Sequence, residues 1–91
     1  MEFDFSEDKN EQLFRERGIT FQDAICSIEK NGVLADFPHP NVDKYPNQRI
    51  FVVVISGYTY CAPYVIDGEI IFLKTLFPNR KFLPLLEDKN D

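Results

Sequence analysis

The chain has 91 residues, is 44% apolar with nine phenylalanines, and carries a formal net charge of −5, which suits a single domain over residues 1–91 with a real core. Its longest apolar runs, 50–55 and 70–73, are far too short to cross a bilayer, and no apolar run follows a basic start, so neither a membrane anchor nor a signal peptide is expected. Cys26 and Cys61 have no metal-ligand spacing and there is one histidine, so free, buried thiols in a reducing cytoplasm are expected, with no cofactor and no metal.

In chain order, Phe3-Asp4-Phe5 forms a short extended lead. Ser6 has the chemistry of an N-cap, with Glu7 and Asp8 in the first turn and Arg15 and Arg17 in the last, the order the helix dipole favours. Leu13 and Phe14 give this helix a narrow apolar stripe, and Gly18 ends it. Thr20 caps a second helix, with Asp23 completing a capping box, and Phe21, Ala24, Ile25 and Ile28 recur at helical spacing until Asn31-Gly32. Residues 33–37 read as a first strand, and 39–48, with Pro40 and Pro46, as a loop. Three strands follow at 49–55, 58–66 and 69–77, joined by two-residue turns at Ser56-Gly57 and Asp67-Gly68. Pro63 lies inside the second of these, which requires a bulge or a non-bonded position there. Residues 79–86 have room for one helical turn before Pro84 interrupts it, and the tail 84–91 is expected to be mobile. The fold class is therefore α+β: two N-terminal helices packed on a four-stranded antiparallel sheet, with a short C-terminal segment.

Tight turns set a register. They pair Ile55 with Tyr58, Val53 with Tyr60 and Phe51 with Ala62, then Tyr64 with Ile71 and Ala62 with Leu73. One face then shows Phe51, Val53, Ile55, Tyr60, Tyr64, Ile71 and Leu73, and the other Val52, Val54, Cys61, Val65, Ile70, Phe72 and Lys74. Both faces are apolar. Two short helices cover one of them, so the second calls for a partner, self-association or a ligand.

The acidic total hides an uneven distribution. Residues 1–36 carry nine acids against four bases, whereas 37–86 carry three acids against five bases. A locally basic sheet half attracts phosphate where the whole molecule does not. Two blocks concentrate this chemistry. The segment EIIFLKTLFPNRK places Lys74 at the end of an apolar run and Arg80 and Lys81 just beyond it; HPNVDKYPNQRIFVV brings Lys44, Tyr45, Gln48 and Arg49 to the start of another. Cations and a phenol on a rigid sheet bind a phosphate backbone, and they also suit metal-free RNA cleavage.

The opening FDFSEDKNEQLFRERGITFQDA, with its step Arg17-Gly18-Ile19-Thr20-Phe21-Gln22-Asp23-Ala24, is similar to the start of the BrnT-like toxins, and the HPN…KYPNQRIFVV and EIIFLKT…PNRK blocks resemble one subgroup of them. The resemblance spans residues 3–82. It implies a RelE/ParE-type fold and a type II toxin that cleaves RNA; with the cytoplasm and the lack of metal-ligand spacing expected above, that cleavage is metal-independent. It also implies neutralisation by a cognate DNA-binding antitoxin, as a toxin–antitoxin hetero-oligomer or alongside homo-oligomerisation. By motif, Lys74, Arg80 and Lys81 match the catalytic positions; Lys44, Tyr45 and Arg49 are expected as RNA-binding residues from the chemistry of their own block. The family pattern continues Arg-Lys-Ala-Thr, where this chain has Arg80-Lys81-Phe82-Leu83-Pro84.

Each candidate also has a plainer reading. Lys74 suits a strand lysine snorkelling to the edge, Arg80 and Lys81 a solvated pair, and Arg49 a surface partner of Asp43 or Asp36. Tyr58, Tyr60 and Tyr64 fit core or partner-facing positions, and His39 a loop. On that reading the domain is a non-catalytic interaction module, or an inactive toxin that only binds its antitoxin.

Overall fold

The computed structural model describes residues 2–89, with side chains through Leu86. The elements in order are β1 (Glu2–Phe5), α1 (Glu7–Arg17), α2 (Phe21–Asn31), β2 (Ala35–Pro38), β3 (Arg49–Ile55), β4 (Tyr58–Asp67), β5 (Ile70–Leu73), β6 (Phe77–Pro78), a 3-10 turn (Arg80–Phe82) and α3 (Pro84–Lys89). The class is α+β. Both N-terminal helices have the termini their sequence dictates. The Ser6 hydroxyl accepts from the Lys9 N–H, and Gly18 closes α1 in the left-handed region at φ 70°, where a side chain would be strained. At α2 the Thr20 hydroxyl and the Asp23 carboxylate each accept from the other's backbone N–H, at 3.2 and 2.9 Å. Asn10 joins the two helices: its carbonyl accepts from the Phe21 N–H at 2.7 Å and its amide donates to Gln22.

The sheet differs from a four-stranded antiparallel meander. Its order is β1-β5-β4-β3-β2, with β6 beside β4, and β1 runs parallel to β5, pairing Phe3 with Ile71 and Phe5 with Leu73. The lead segment is thus an edge strand of a mixed sheet. It is held there by the backbone ladder and by Phe5, whose ring stacks on Phe21 at 5.0 Å. The first hairpin has the expected register, with Ile55 opposite Tyr58. Ser56 and Gly57 both take positive φ (51° and 78°), the geometry of a type I′ turn. In the second hairpin Asp67 opposes Ile70 rather than lying in the turn, so Gly68-Glu69 form the loop and Tyr64 opposes Leu73 rather than Ile71. Moving a turn by one residue moves the register by two. Side-chain parity survives, and residues through Leu73 stay on their expected faces.

The expected strand 69–77 is two strands. In β5 the paired residue numbers sum to 137 (Tyr64 with Leu73), and in β6 to 138 (Tyr60 with Pro78). One extra residue is therefore inserted in 74–76, the signature of a β-bulge. It lies across from Pro63, which has no N–H to donate; the Pro63 carbonyl accepts from the Lys74 N–H at 2.8 Å and the ladder stops. The bulge reverses parity. Leu73 and Leu76 both enter the core under the helices, while Phe77 packs in the cluster on the other face, the face that alternation gives Phe72. Arg17 reaches across to donate to the Leu76 carbonyl at 2.7 Å, satisfying a group the bulge strands.

The main core lies between the helices and one sheet face: Leu13, Phe21 and Ala24 against Phe51, Val53, Tyr64, Leu73 and Leu76. Phe14, expected in the helix stripe, is 62% exposed, because α1 crosses with Leu13 inward and presents little else. Cys26 is free but exposed, on the outer side of α2, whereas Cys61 is free and buried. The second sheet face does not wait wholly for a partner. Ile50, Val52 and Cys61 are covered by Phe77, Phe82 and Leu85 of the chain's own C-terminal segment. Pro84 begins α3 instead of interrupting a turn, as its fixed φ suits a first helical position. Thus 84–89 form a helix, while the remainder of the expected tail, 90–91, lies outside the described residues. Among the described residues no helix is long and apolar enough to cross a membrane.

Candidate nucleic-acid interface

Asn79 organises the C-terminal cations. Its backbone N–H donates to the Thr59 carbonyl at 3.0 Å and its carbonyl accepts from the buried Thr59 hydroxyl at 2.7 Å, which fastens it to β4. Its side-chain carbonyl then accepts from the Lys81 N–H at 3.0 Å and starts the 3-10 turn. Arg80 and Lys81 are exposed on that turn. Lys81 extends along Phe82, its Nζ 5.7 Å from the ring centroid. Lys74 leaves β5 at the bulge, exposed, with Nζ 5.4 Å from the Phe72 centroid on the sheet face that the C-terminal segment partly covers. Among the described residues none of these three cations is in an ion pair.

Arg49 is placed differently. Alternation puts it on the helix-side face with Phe51, where Nε donates to Asp36 at 3.1 Å. Tyr64 donates its phenol proton to the same carboxylate oxygen at 2.7 Å while stacking on Phe51 at 3.9 Å. Tyr64 and Asp36 hold the guanidinium more firmly charged than usual. Burial pushes the Tyr64 phenol up, and its bond to Asp36 adds to that, with Arg49 opposing. The strand-end arginine therefore ties β2 to β3, on the opposite face from Lys74.

The loop 39–48 carries Lys44 and Tyr45. Asn41 folds it, accepting from Lys44 N–H through its side chain and from Tyr45 N–H through its backbone. Tyr45 lies against His39 at 4.5 Å between ring centroids, and Lys44 Nζ sits 5.3 Å from the Tyr45 centroid. His39 is the link that sequence reasoning missed. Between this loop and the C-terminal turn opens a cleft of about 300 Å³, to which β2 and the loop contribute Phe37, His39 and Pro40 and the C-terminal turn contributes Asn79, Lys81 and Phe82. Ile50, Cys61 and Phe77 also line it. Burial pushes the Cys61 thiol up, opposed by the Asn79 side chain and the charge of Lys81. The fold thus brings Lys81 to the loop of Lys44 and Tyr45, with Arg80 next to it. The signal for His39 was its position between two prolines facing an aromatic loop; for Asn79, an Asn immediately before two cations, the chemistry of a cap.

A second cleft, about 340 Å³, lies between α1 and the start of α2, lined by Asn10, Glu11, Phe14, Arg15 and Thr20. Asn10 is already committed to the helix junction and the charges there are mixed, so it offers no cation cluster. Among the described residues no group of three or more His, Cys, Asp or Glu side chains is placed to hold a metal ion. Comparison with protein-family models, with curated proteins and with solved structures gives no match to this chain.

Proposed function

We propose that this chain is a BrnT-like toxin of a type II toxin–antitoxin system, with a RelE/ParE-like arrangement, that cleaves RNA without a metal and is neutralised by a small DNA-binding antitoxin. The observation that carries this reading is the group of exposed cations on the C-terminal side: Lys74 at the bulge and Arg80 and Lys81 on a turn fastened to β4. A rigid turn holds its charges in place before substrate arrives, which is what electrostatic stabilisation of a transition state requires. In the reaction, the substrate 2′-oxygen bonds to the adjacent phosphorus and the P–O5′ bond breaks. Lys74 or Lys81 helps to draw off the 2′ proton, the departing 5′-oxygen takes up a proton from water, and a 2′,3′-cyclic phosphate remains. Arg80 offsets the extra negative charge on phosphorus. Arg49, engaged by Asp36 on the other face, has no part in this step.

One observation favours the non-catalytic alternative, a module that only binds its antitoxin. Val65, Ile70 and Phe72 stay half-exposed beside Lys74, an apolar strip the chain's own C-terminal segment leaves open. Inducible expression separates the two. The ribonuclease reading expects growth arrest with loss of RNA integrity, and cleavage by purified protein that persists in EDTA. Growth unaffected and RNA intact, in the absence of any antitoxin, favours the binding module.

A further inference from the structure

The cleft between the 39–48 loop and the C-terminal turn has features that phosphate binding alone does not need. Phe37 and Phe82 pack against each other, with centroids 5.7 Å apart and ring planes 32° from parallel, and form one aromatic wall of it. His39 adds a third ring, backed by Tyr45 at 4.5 Å. Its volume of about 300 Å³ is at the low end for ligand sites, about 300–1,000 Å³, and suits one planar ring system rather than a polymer chain. Its polar groups are few: the Asn79 carboxamide, the His39 imidazole and, at the rim, Lys81. Among the described residues no lining side chain carries a carboxylate. Aromatic walls, an amide and one cation are the chemistry that stacks a base, reads its edge and holds its phosphate.

We propose that this cleft seats a single unstacked nucleobase between Phe82 and His39, with its phosphate on Lys81. The same chemistry is offered by a free nucleotide and by one residue of a single-stranded RNA. The RNA source rests on the ribonuclease reading, and there the cleft would select the base beside the scissile phosphate. The free-nucleotide source does not rest on it.

The test is nuclear magnetic resonance titration of the ¹⁵N-labelled full chain with AMP, UMP, ribose 5-phosphate and a 2′-O-methyl pentanucleotide, which lacks the attacking hydroxyl and stays intact. AMP or UMP should shift the amides of Phe37, His39, Asn79 and Phe82, and ribose 5-phosphate should bind at least about tenfold more weakly, since stacking on aromatic side chains accounts for most of the affinity. Tighter binding of the pentanucleotide than of AMP or UMP assigns the site to RNA; equal binding assigns it to a free nucleotide. His39→Ala and Phe82→Leu should each weaken the base-bearing ligands by roughly five- to a hundredfold and leave ribose 5-phosphate unchanged. His39, on a surface loop, keeps the test valid if Phe82→Leu fails to fold, which the same spectra reveal. Lys81→Gln should weaken every ligand. The inference is overturned if ribose 5-phosphate binds as tightly as AMP and UMP, if the shifts fall away from the cleft, if His39→Ala changes nothing, or if no nucleotide binds. RNA cleavage by a protein whose cleft ignores bases would overturn this inference alone. Base binding by a protein that never cuts RNA would overturn the ribonuclease reading alone.

Discussion

Leu76→Ala tests the bulge, which sets the relation between Lys74 and the turn carrying Arg80 and Lys81. Leu76 is 0% exposed and lies in the main core. Removing three carbons from such a site costs about 2–5 kcal/mol, depending on how far the surroundings collapse. A residue off the ladder could collapse readily, which argues for the low end. Two bonds oppose that: Arg17 holds the Leu76 carbonyl at 2.7 Å and Pro63 holds the Lys74 N–H at 2.8 Å. With the backbone pinned on both sides the cavity stays open, and the expected cost is about 3–4 kcal/mol. A domain of this length has about 5–14 kcal/mol in total, so the variant should fold but be weakened severely. In urea, with a slope of about 1 kcal/mol per molar, the midpoint should fall by about 3–4 M. Ile66→Ala is the control: apolar and in β4, but 56% exposed, it should change stability by less than about 0.5 kcal/mol. Circular dichroism at increasing urea measures both. A Leu76→Ala midpoint less than about 1 M below wild type, at unchanged slope, would refute the claim that the bulge is rigidly anchored.

The other expectations concern the site, the buried phenol and a helix cap. Arg80→Ala should lower RNA cleavage roughly a hundred- to a thousandfold with the urea midpoint unchanged, since the side chain is exposed; full activity in purified protein would remove Arg80 from the mechanism. The Tyr64 phenol has a folded-state pKa raised above its ordinary 10.0. The unfolded chain therefore ionises first, and this contribution to stability is complete below pH about 10 and is lost as pH rises through the folded pKa. Cys61 acts in the same direction from 9.0. Urea midpoints between pH 8 and 11 should therefore decline, less steeply in Tyr64→Phe; identical slopes would contradict the assignment. Thr20→Ala removes half of the capping box and should cost about 1 kcal/mol in thermal or urea unfolding, with a loss under a few tenths showing that the box is dispensable.

Much of the local architecture is legible in the residues themselves. Ser6, Gly18, Thr20 with Asp23, and Ser56-Gly57 each specify a helix end or a turn through bonds that close within four residues, so neighbours in sequence suffice. Alternation along 49–73 likewise assigns each side chain to a face, and survives even a turn displaced by one residue, because parity changes only with an odd shift in register. Pro63 announced a defect in the ladder, since a missing donor is a property of the residue alone. What the sequence left open depends on contacts between distant segments. The pairing of Glu2–Phe5 with Ile70–Leu73 joins segments far apart in the chain that share no local signal, and it turned an antiparallel meander into a mixed sheet. The position of the compensating bulge, the cover that Phe82 and Leu85 give to the second face, and the choice of Asp36 as partner for Arg49 follow from the packed sheet rather than from any short motif. The cleft is the clearest case. His39 and Lys81 lie forty-two positions apart in the chain, and only the β2–β3–β4 order, with the C-terminal turn fastened to Thr59, brings both to one opening.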